Sequence, residues 1–236
     1  MQATAQYDLL RDGFAIYDKI YLPEEIEAIA ALISHVSDDG SIKQSADIFA
    51  VRQFLKQYSA IIPLLFNQRV KDVLHALVGA GYFPVKSIYF NKPATSNWFV
   101  AYHQDLSVSV DKKLQLPGFC HWTVKQQQVK VQPPSALLEC LLTIRIHLDD
   151  TTEGNGALRV IAGTHSKGII PPSAIADHLT TETCCRVAAG GIMVMRPLLL
   201  HSSARTTNGL PRRVLHIEFA NQELPAGLQW AERMSI

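Results

Sequence analysis

From residue 83 to residue 219 the chain repeats one pattern, and that pattern leaves few folds open. Runs rich in Val, Ile, Leu, Phe and Tyr recur at 85–90, 98–104, 138–148, 157–161, 184–188, 192–195, 198–203 and 213–219, separated by Pro, Gly, Asn or Asp clusters. Runs of this length between such breakers read as β-strands joined by turns. Following a helical preamble, they predict a mainly β chain of two packed sheets, a jelly roll with N-terminal supporting helices.

The preamble has a different period. Leu22-Pro23-Glu24-Glu25 opens a helix with Pro and two acids in its first turn, and Ile26, Ile29, Ala30, Ile33 and Val36 then share one face until Asp38-Asp39-Gly40. A second amphipathic stretch carries Val70, Val73, Leu74, Leu77 and Val78 and stops at Gly79-Ala80-Gly81. The expected organisation is one domain over 1–236, with helical support over 1–82 and a jelly-roll core over 83–220. Within the core, the polar segment 106–135 is expected to be a lid loop.

Composition narrows the partners. The 236 residues are 47% hydrophobic and 18% charged with a formal net charge of +1, a balance that does not suit the nucleic-acid backbone. No apolar run approaches a membrane span, and the first residues lack a secretory signal, so a cytoplasmic protein with no membrane or nucleic-acid partner is expected. Cys120, Cys140, Cys184 and Cys185 show no zinc-like spacing and read as free thiols. Nothing in the sequence selects an oligomeric state.

In the run 138–148, Leu142, Ile144, Ile146 and Leu148 alternate with Thr143, Arg145 and His147. The strand therefore separates an apolar face from a polar one. Arg145 and His147 line a pocket if the polar face looks into the jelly roll, and meet solvent if it looks out; alternation alone allows both.

The chemistry gathers at His103-Gln104-Asp105 and His201. A His and an Asp two positions apart on a strand share a face, and a distant His can complete three ligands on one side of a metal ion. Two imidazoles and one carboxylate suit iron(II) and leave the other side of the ion open. Arg212 then supplies a permanent cation able to hold the far carboxylate of 2-oxoglutarate, and Ser203, on the face of His201, offers a hydroxyl to the same group.

With these residues on the page, the sequence resembles the phytanoyl-CoA dioxygenase (PhyH) family. The likeness is carried by His103-Gln104-Asp105, by Asp149-Asp150 through Asn155-Gly156-Ala157-Leu158-Arg159-Val160 to Gly163-Thr164-His165, and by His201-Ser202-Ser203 with Arg212 eleven residues beyond His201. The resemblance implies a double-stranded β-helix and an enzyme dependent on iron(II), 2-oxoglutarate and dioxygen. It implies His103, Asp105 and His201 as ligands, Arg212 and Ser203 on the co-substrate, and, more weakly, Asn91 as a further co-substrate contact. Because Asp105 fills the position a halide would need, hydroxylation of an unactivated carbon, or a related oxidation such as desaturation, is expected rather than halogenation.

The expected substrate is a small molecule, anionic because Lys112, Lys113, Lys125 and Lys130 outnumber Asp111 in the segment after the His-x-Asp strand. Trp98, Tyr102 and Trp122, with Lys125, Arg145 and His147, are the substrate-contact candidates. His216 and Glu218 alternate onto the face of Arg212, where they either support the site or bond to each other in the core. His165 is expected to organise a turn. Two other classes compete: a cupin-like metalloenzyme that does not use 2-oxoglutarate, and a catalytically silent ligand-binding member of the same fold.

Overall fold

The computed structural model describes residues 5–38, 49–93, 99–125 and 128–236. Its centre is a pair of antiparallel sheets. The larger contains β1 (Ala5–Gln6), β2 (Phe14–Tyr17), β3 (Phe49–Arg52), β4 (Phe83–Lys92), β9 (Leu142–His147), β12 (Ile192–Met195) and β14 (Arg212–Ala220), in the order β1-β2-β12-β9-β14-β4-β3. The smaller contains β5 (Val100–His103), β10 (Leu158–Ile161), β11 (Glu182–Cys185) and β13 (His201–Ser203), in the order β11-β10-β13-β5. From β4 onward the chain passes back and forth between the two sheets: β4, β9, β12 and β14 lie in the large one and β5, the hairpin β10–β11 and β13 in the small one, the arrangement of a double-stranded β-helix.

Strand alternation decides which side chains each face of the large sheet presents. Leu142, Ile144, Ile146, Ile192, Val194, Leu215, Ile217 and Phe219 are buried on the outer face, against Ile26, Ile29 and Ile33 of α1 (Pro23–Asp38) and Val70, Val73 and Leu74 of α4 (Gln68–Val78). Helix α1 begins where Glu25 accepts a hydrogen bond from the Leu22 amide at 2.7 Å, and α4 where Asn67 Oδ1 accepts one from Val70 at 3.0 Å. Between them, α2 (Phe54–Gln57) and α3 (Ile62–Leu65) add Phe54, Leu55 and Leu65 to this core. Truncating any of these large side chains to Ala costs about 2–5 kcal/mol.

The inner face is polar, which settles the orientation of the run 138–148 in favour of the pocket. Register across β3, β4, β14 and β9 gives four rungs: Lys92–Arg212; Ala50–Phe90–Val214–His147; Arg52–Ile88–His216–Arg145; and Lys86–Glu218–Thr143.

Three expectations need correction. The segment 106–135 is no simple lid loop: β6 (Val108–Val110), β7 (Cys120–Lys125) and β8 (Gln128–Gln132) form a third sheet, and α5 (Ser135–Cys140) follows. Its buried Val108, Val110 and Val131 pack with Leu137, Leu138 and Trp230, which anchors it. Residues 138–140 accordingly close a helix rather than open a strand. And within 1–82, expected to be mainly helical support, β2 and β3 extend the large sheet at either side. A last short helix, α6 (Ile175–His178), lies before β11, and no helix among the described residues is long and apolar enough to cross a membrane.

Candidate metal centre

β5 and β13 are neighbours in the small sheet, with His201 in register with His103. Each imidazole is fixed from behind: His103 Nδ1 lies 2.8 Å from the Ala101 carbonyl and His201 Nδ1 lies 2.9 Å from the Leu199 carbonyl. A carbonyl only accepts, so each Nδ1 donates and each Nε2 keeps a free lone pair. Those Nε2 atoms face Asp105, at 4.0 Å from Oδ1 and 3.8 Å from Oδ2 respectively.

Asp105 Oδ2 is sealed from solvent and has no hydrogen-bond partner. One donor atom from each of His103, Asp105 and His201 lies within 4.8 Å of the others. His103, Asp105 and His201 would hold a divalent cation, which would give the orphaned oxygen a partner. Burial lowers the His201 pKa to about 4 against the opposing pull of Asp105, so the imidazole is neutral, the form that ligates. Burial pushes the Asp105 carboxyl up, but His201, His216, Lys86 and His103 more than offset this and hold it well below the usual carboxylate range.

Gln104, which reads in the sequence as a mere spacer, has a structural task. Its amide nitrogen donates to Gly168 O at 2.8 Å and Leu198 O at 2.7 Å, and its oxygen accepts from Ile170 N at 2.8 Å. It therefore ties the His103–Asp105 corner to the chain that leads into His201.

Asp105 also groups with His216 and Glu218, but a second cation has no place there. Lys86 Nζ is 2.5 Å from Glu218 Oε1, and Arg145 contacts His216 Nδ1 at 3.1 Å, so two cationic side chains already serve these groups. His216 Nε2 lies 3.3 Å from Glu218 Oε1, completing a buried chain from β4 through β14 to β9. His216 and Glu218 thus both bond in the core and lie beside Asp105, the two readings that alternation left open.

The centre opens onto a cavity of about 500 Å³ that is also lined by Arg145, Ser203 and Arg212. At its far end Arg212 and Ser203 converge on one carbonyl, that of Gly156: Ser203 Oγ donates to it at 2.9 Å and Arg212 Nη1 also donates to it. Arg212 Nη1 is 3.5 Å from Ser203 Oγ, and Arg212 Nε is buried with no partner. Gly156 has φ +83°, and a Cβ there would lie 2.6 Å from Ala204 O and 2.7 Å from Lys92 Nζ, so only glycine fits. Burial, with Arg145 second, lowers the Arg212 pKa to about 9. Lys92, pushed down to about 8 by burial and by Arg212, donates to Ala204 O at 2.6 Å. The pocket thus holds buried positive charge and an unsatisfied guanidinium N–H, a setting that favours an anion.

Other expected contacts lie elsewhere. Asn91 shares the parity of Tyr89 and Ser87 and is absent from the cavity wall, because Lys86, Ile88, Phe90 and Lys92 take the inner face. Tyr102 turns outward, packs near Ile161, Ile170 and Leu200, and bonds to Glu182. Trp122 packs in the core of the third sheet, stacked on Phe119 with ring centres 6.5 Å apart. His147 is buried on the inner face but bonds Thr151 Oγ1 at 2.7 Å and does not line the cavity. Arg145 does, as does Lys130. Trp98 and the side chain of Lys125 lie outside the described residues. Arg52 and Lys86 of the cavity lining, and Lys92 and Gly156 beside Arg212, went unnoticed in the sequence, although Lys86 and Lys92 share one parity on β4.

Comparison with known proteins extends this picture. The family model described as Phytanoyl-CoA dioxygenase (PhyH) matches residues 9–214. No curated protein sequence matches. Among solved structures, AviO1 from Streptomyces viridochromogenes Tue57 is similar with a TM-score of 0.66 at 22% identity, over 94% of this chain and 99% of that one. SnoK, a non-heme alpha ketoglutarate dependent carbocyclase from nogalamycin biosynthesis, gives 0.69 at 13%, over 95% and 84%. EctD from S. alaskensis, with 2-oxoglutarate and 5-hydroxyectoine, gives 0.67 at 17%, over 90% and 73%. At these identities the likeness speaks for the fold.

Proposed function

The chain belongs to the phytanoyl-CoA dioxygenase family of iron(II)- and 2-oxoglutarate-dependent oxygenases, and we propose that it hydroxylates an unactivated carbon of a small, anionic substrate through His103, Asp105 and His201. The balance is one C–H bond, one dioxygen and one 2-oxoglutarate consumed for one C–OH bond, one succinate and one carbon dioxide.

The observation that carries the reading is the unpartnered Asp105 Oδ2 facing two imidazoles whose Nδ1 atoms are both committed to carbonyls. Bound iron(II) supplies the coupling between oxidative decarboxylation of the co-substrate and attack on the C–H bond. The chain supplies the rest. His103, Asp105 and His201 hold one side of the metal, and the backbone bonds at Nδ1 keep both rings from turning. Arg212 and Ser203 grip the distal carboxylate and so fix the co-substrate lengthwise, while the apolar rung of Phe90 and Val214 excludes water along it. A metalloenzyme that did not use 2-oxoglutarate would leave the Arg212 Nε–H buried without an acceptor, which disfavours the cupin-like alternative.

Anaerobic addition of iron(II) and then 2-oxoglutarate should give the weak visible charge-transfer band of a chelated 2-oxo acid. The band should vanish in His201→Ala and weaken or shift in Arg212→Ala. If the wild-type protein shows neither that band nor succinate release in air, the proposal fails. Incorporation of one atom of labelled dioxygen into product separates hydroxylation from desaturation.

A further inference from the structure

The cavity has a second charged wall, and its meaning rests on the oxygenase reading just given. Along the inner face of the large sheet, Lys92–Arg212 forms the first rung and Ala50–Phe90–Val214–His147 the second. Arg52–Ile88–His216–Arg145 is the third and Lys86–Glu218–Thr143 the fourth. Asp105 stands against these last two rungs, since it groups with His216 and Glu218. A dicarboxylate held by Arg212 would lie along the first two. The rest of the cavity lining includes Arg52, Lys86, Ser107 and Lys130.

Charge identifies what fits there. The cavity wall carries Arg52, Lys86, Lys130, Arg145 and Arg212, against Asp105 as its one acidic side chain among the described residues. An iron(II) ion and a 2-oxoglutarate dianion cancel each other, so loading the site leaves this positive excess in place. Lys86 does not count toward it, because Glu218 neutralises it at 2.5 Å, and Arg52, Arg145 and Arg212 still outnumber Asp105. Arg52 has no carboxylate partner among the described residues, and it stands on the edge strand β3 with its guanidinium in the cavity wall.

We propose that Arg52 and Lys130 form an oxyanion subsite, so that the substrate carries a carboxylate or a phosphate held there while its reacting C–H faces the metal ligands. Arg52 offers a planar fork that matches either oxyanion, and Lys130 of β8, which lines the same cavity, adds a point charge. Lys86, also in the lining, is pinned by Glu218 and lies 3.4 Å from Ser107 O. Recognition thus comes from a strand edge and one hairpin lysine, and does not need Lys112, Lys113 or Lys125.

The test uses the iron(II)- and 2-oxoglutarate-loaded protein under anaerobic conditions, with inorganic phosphate, acetate and choline as probes. High-spin iron(II) speeds the relaxation of nuclei held near it, so phosphorus or methyl-proton relaxation reports binding beside the metal. Saturable enhancement is expected for phosphate, acetate or both, and not for choline; the stronger of the two identifies the substrate's anionic group. Half-saturation should rise at least tenfold in Arg52→Gln/Lys130→Gln. Absence of saturable enhancement for both anions, equal enhancement by choline, or an unmoved half-saturation in the double variant overturns the subsite. The charge-transfer band of the same samples reports separately on the oxygenase reading: a protein with the band but no anion selectivity loses only the subsite.

Discussion

The two ends of one sheet face treat buried charge in opposite ways. At the fourth rung Lys86, Glu218, His216 and Arg145 satisfy one another in an unbroken chain. At the first, Arg212 donates to the Gly156 carbonyl and lies 3.5 Å from the Ser203 hydroxyl, Lys92 donates to the Ala204 carbonyl, and Arg212 Nε has no partner among the described residues. A paired buried charge holds its shape without help, whereas an uncompensated one gains only when an anion arrives. The contrast separates scaffold from receptor on chemically similar residues: the closed end lies beside Asp105, and the open end is the one proposed above to receive a dicarboxylate.

Removing one partner at the closed end should do the most damage. Glu218→Leu strands the Lys86 ammonium in the core and should cost about 3–5 kcal/mol of stability in urea unfolding. The double variant Lys86→Met/Glu218→Leu should recover most of that loss; if it does not, the closed end is more than a self-neutralised pair. At the open end Arg212→Met should change the stability of the ligand-free protein by no more than about 1 kcal/mol. The same change should weaken 2-oxoglutarate binding by at least about thirtyfold, or about 2 kcal/mol, in a charge-transfer titration. A stability loss as large as that of Glu218→Leu would erase the distinction.

Gly156→Ala places a Cβ against Ala204 O and Lys92 Nζ at a positive φ, and should cost about 1–3 kcal/mol in urea unfolding together with weaker co-substrate binding. The smallest effect is a pH slope. Lys92 has a folded pKa lowered from 10.5 to about 8, so folding releases a proton between those values and the ligand-free protein should gain stability as pH rises through that window. Lys92→Met should flatten the slope relative to wild type in parallel unfolding curves. An identical slope in both would mean that Lys92 is not under the strain that burial and Arg212 impose.

The strand framework was legible where apolar and polar side chains alternate, as they do from Leu142 to Leu148. β2 escaped notice because Phe14, Ala15, Ile16 and Tyr17 are all buried and show no alternation. α5 was read as strand because six residues with Leu137 and Leu138 carry too few turns to reveal a helical period. The grouping of His103, Asp105 and His201 could be argued from spacing and residue chemistry. Arg52 could not, since its place in the cavity wall depends on which strand β3 pairs with. Asn91 was suggested by the resemblance alone, and it has the parity of Tyr89, opposite to that of the cavity-lining Ile88 and Phe90.

β14 lies at the centre of the large sheet, between β4 and β9, yet it is the last strand in sequence. Until it inserts, β4 and β9 have no neighbour in common, and their pairing requires closure of long loops on both sides. The same strand carries Arg212, His216 and Glu218. Completing the large sheet and bringing Arg212, His216 and Glu218 to the cavity side therefore depend on the same strand.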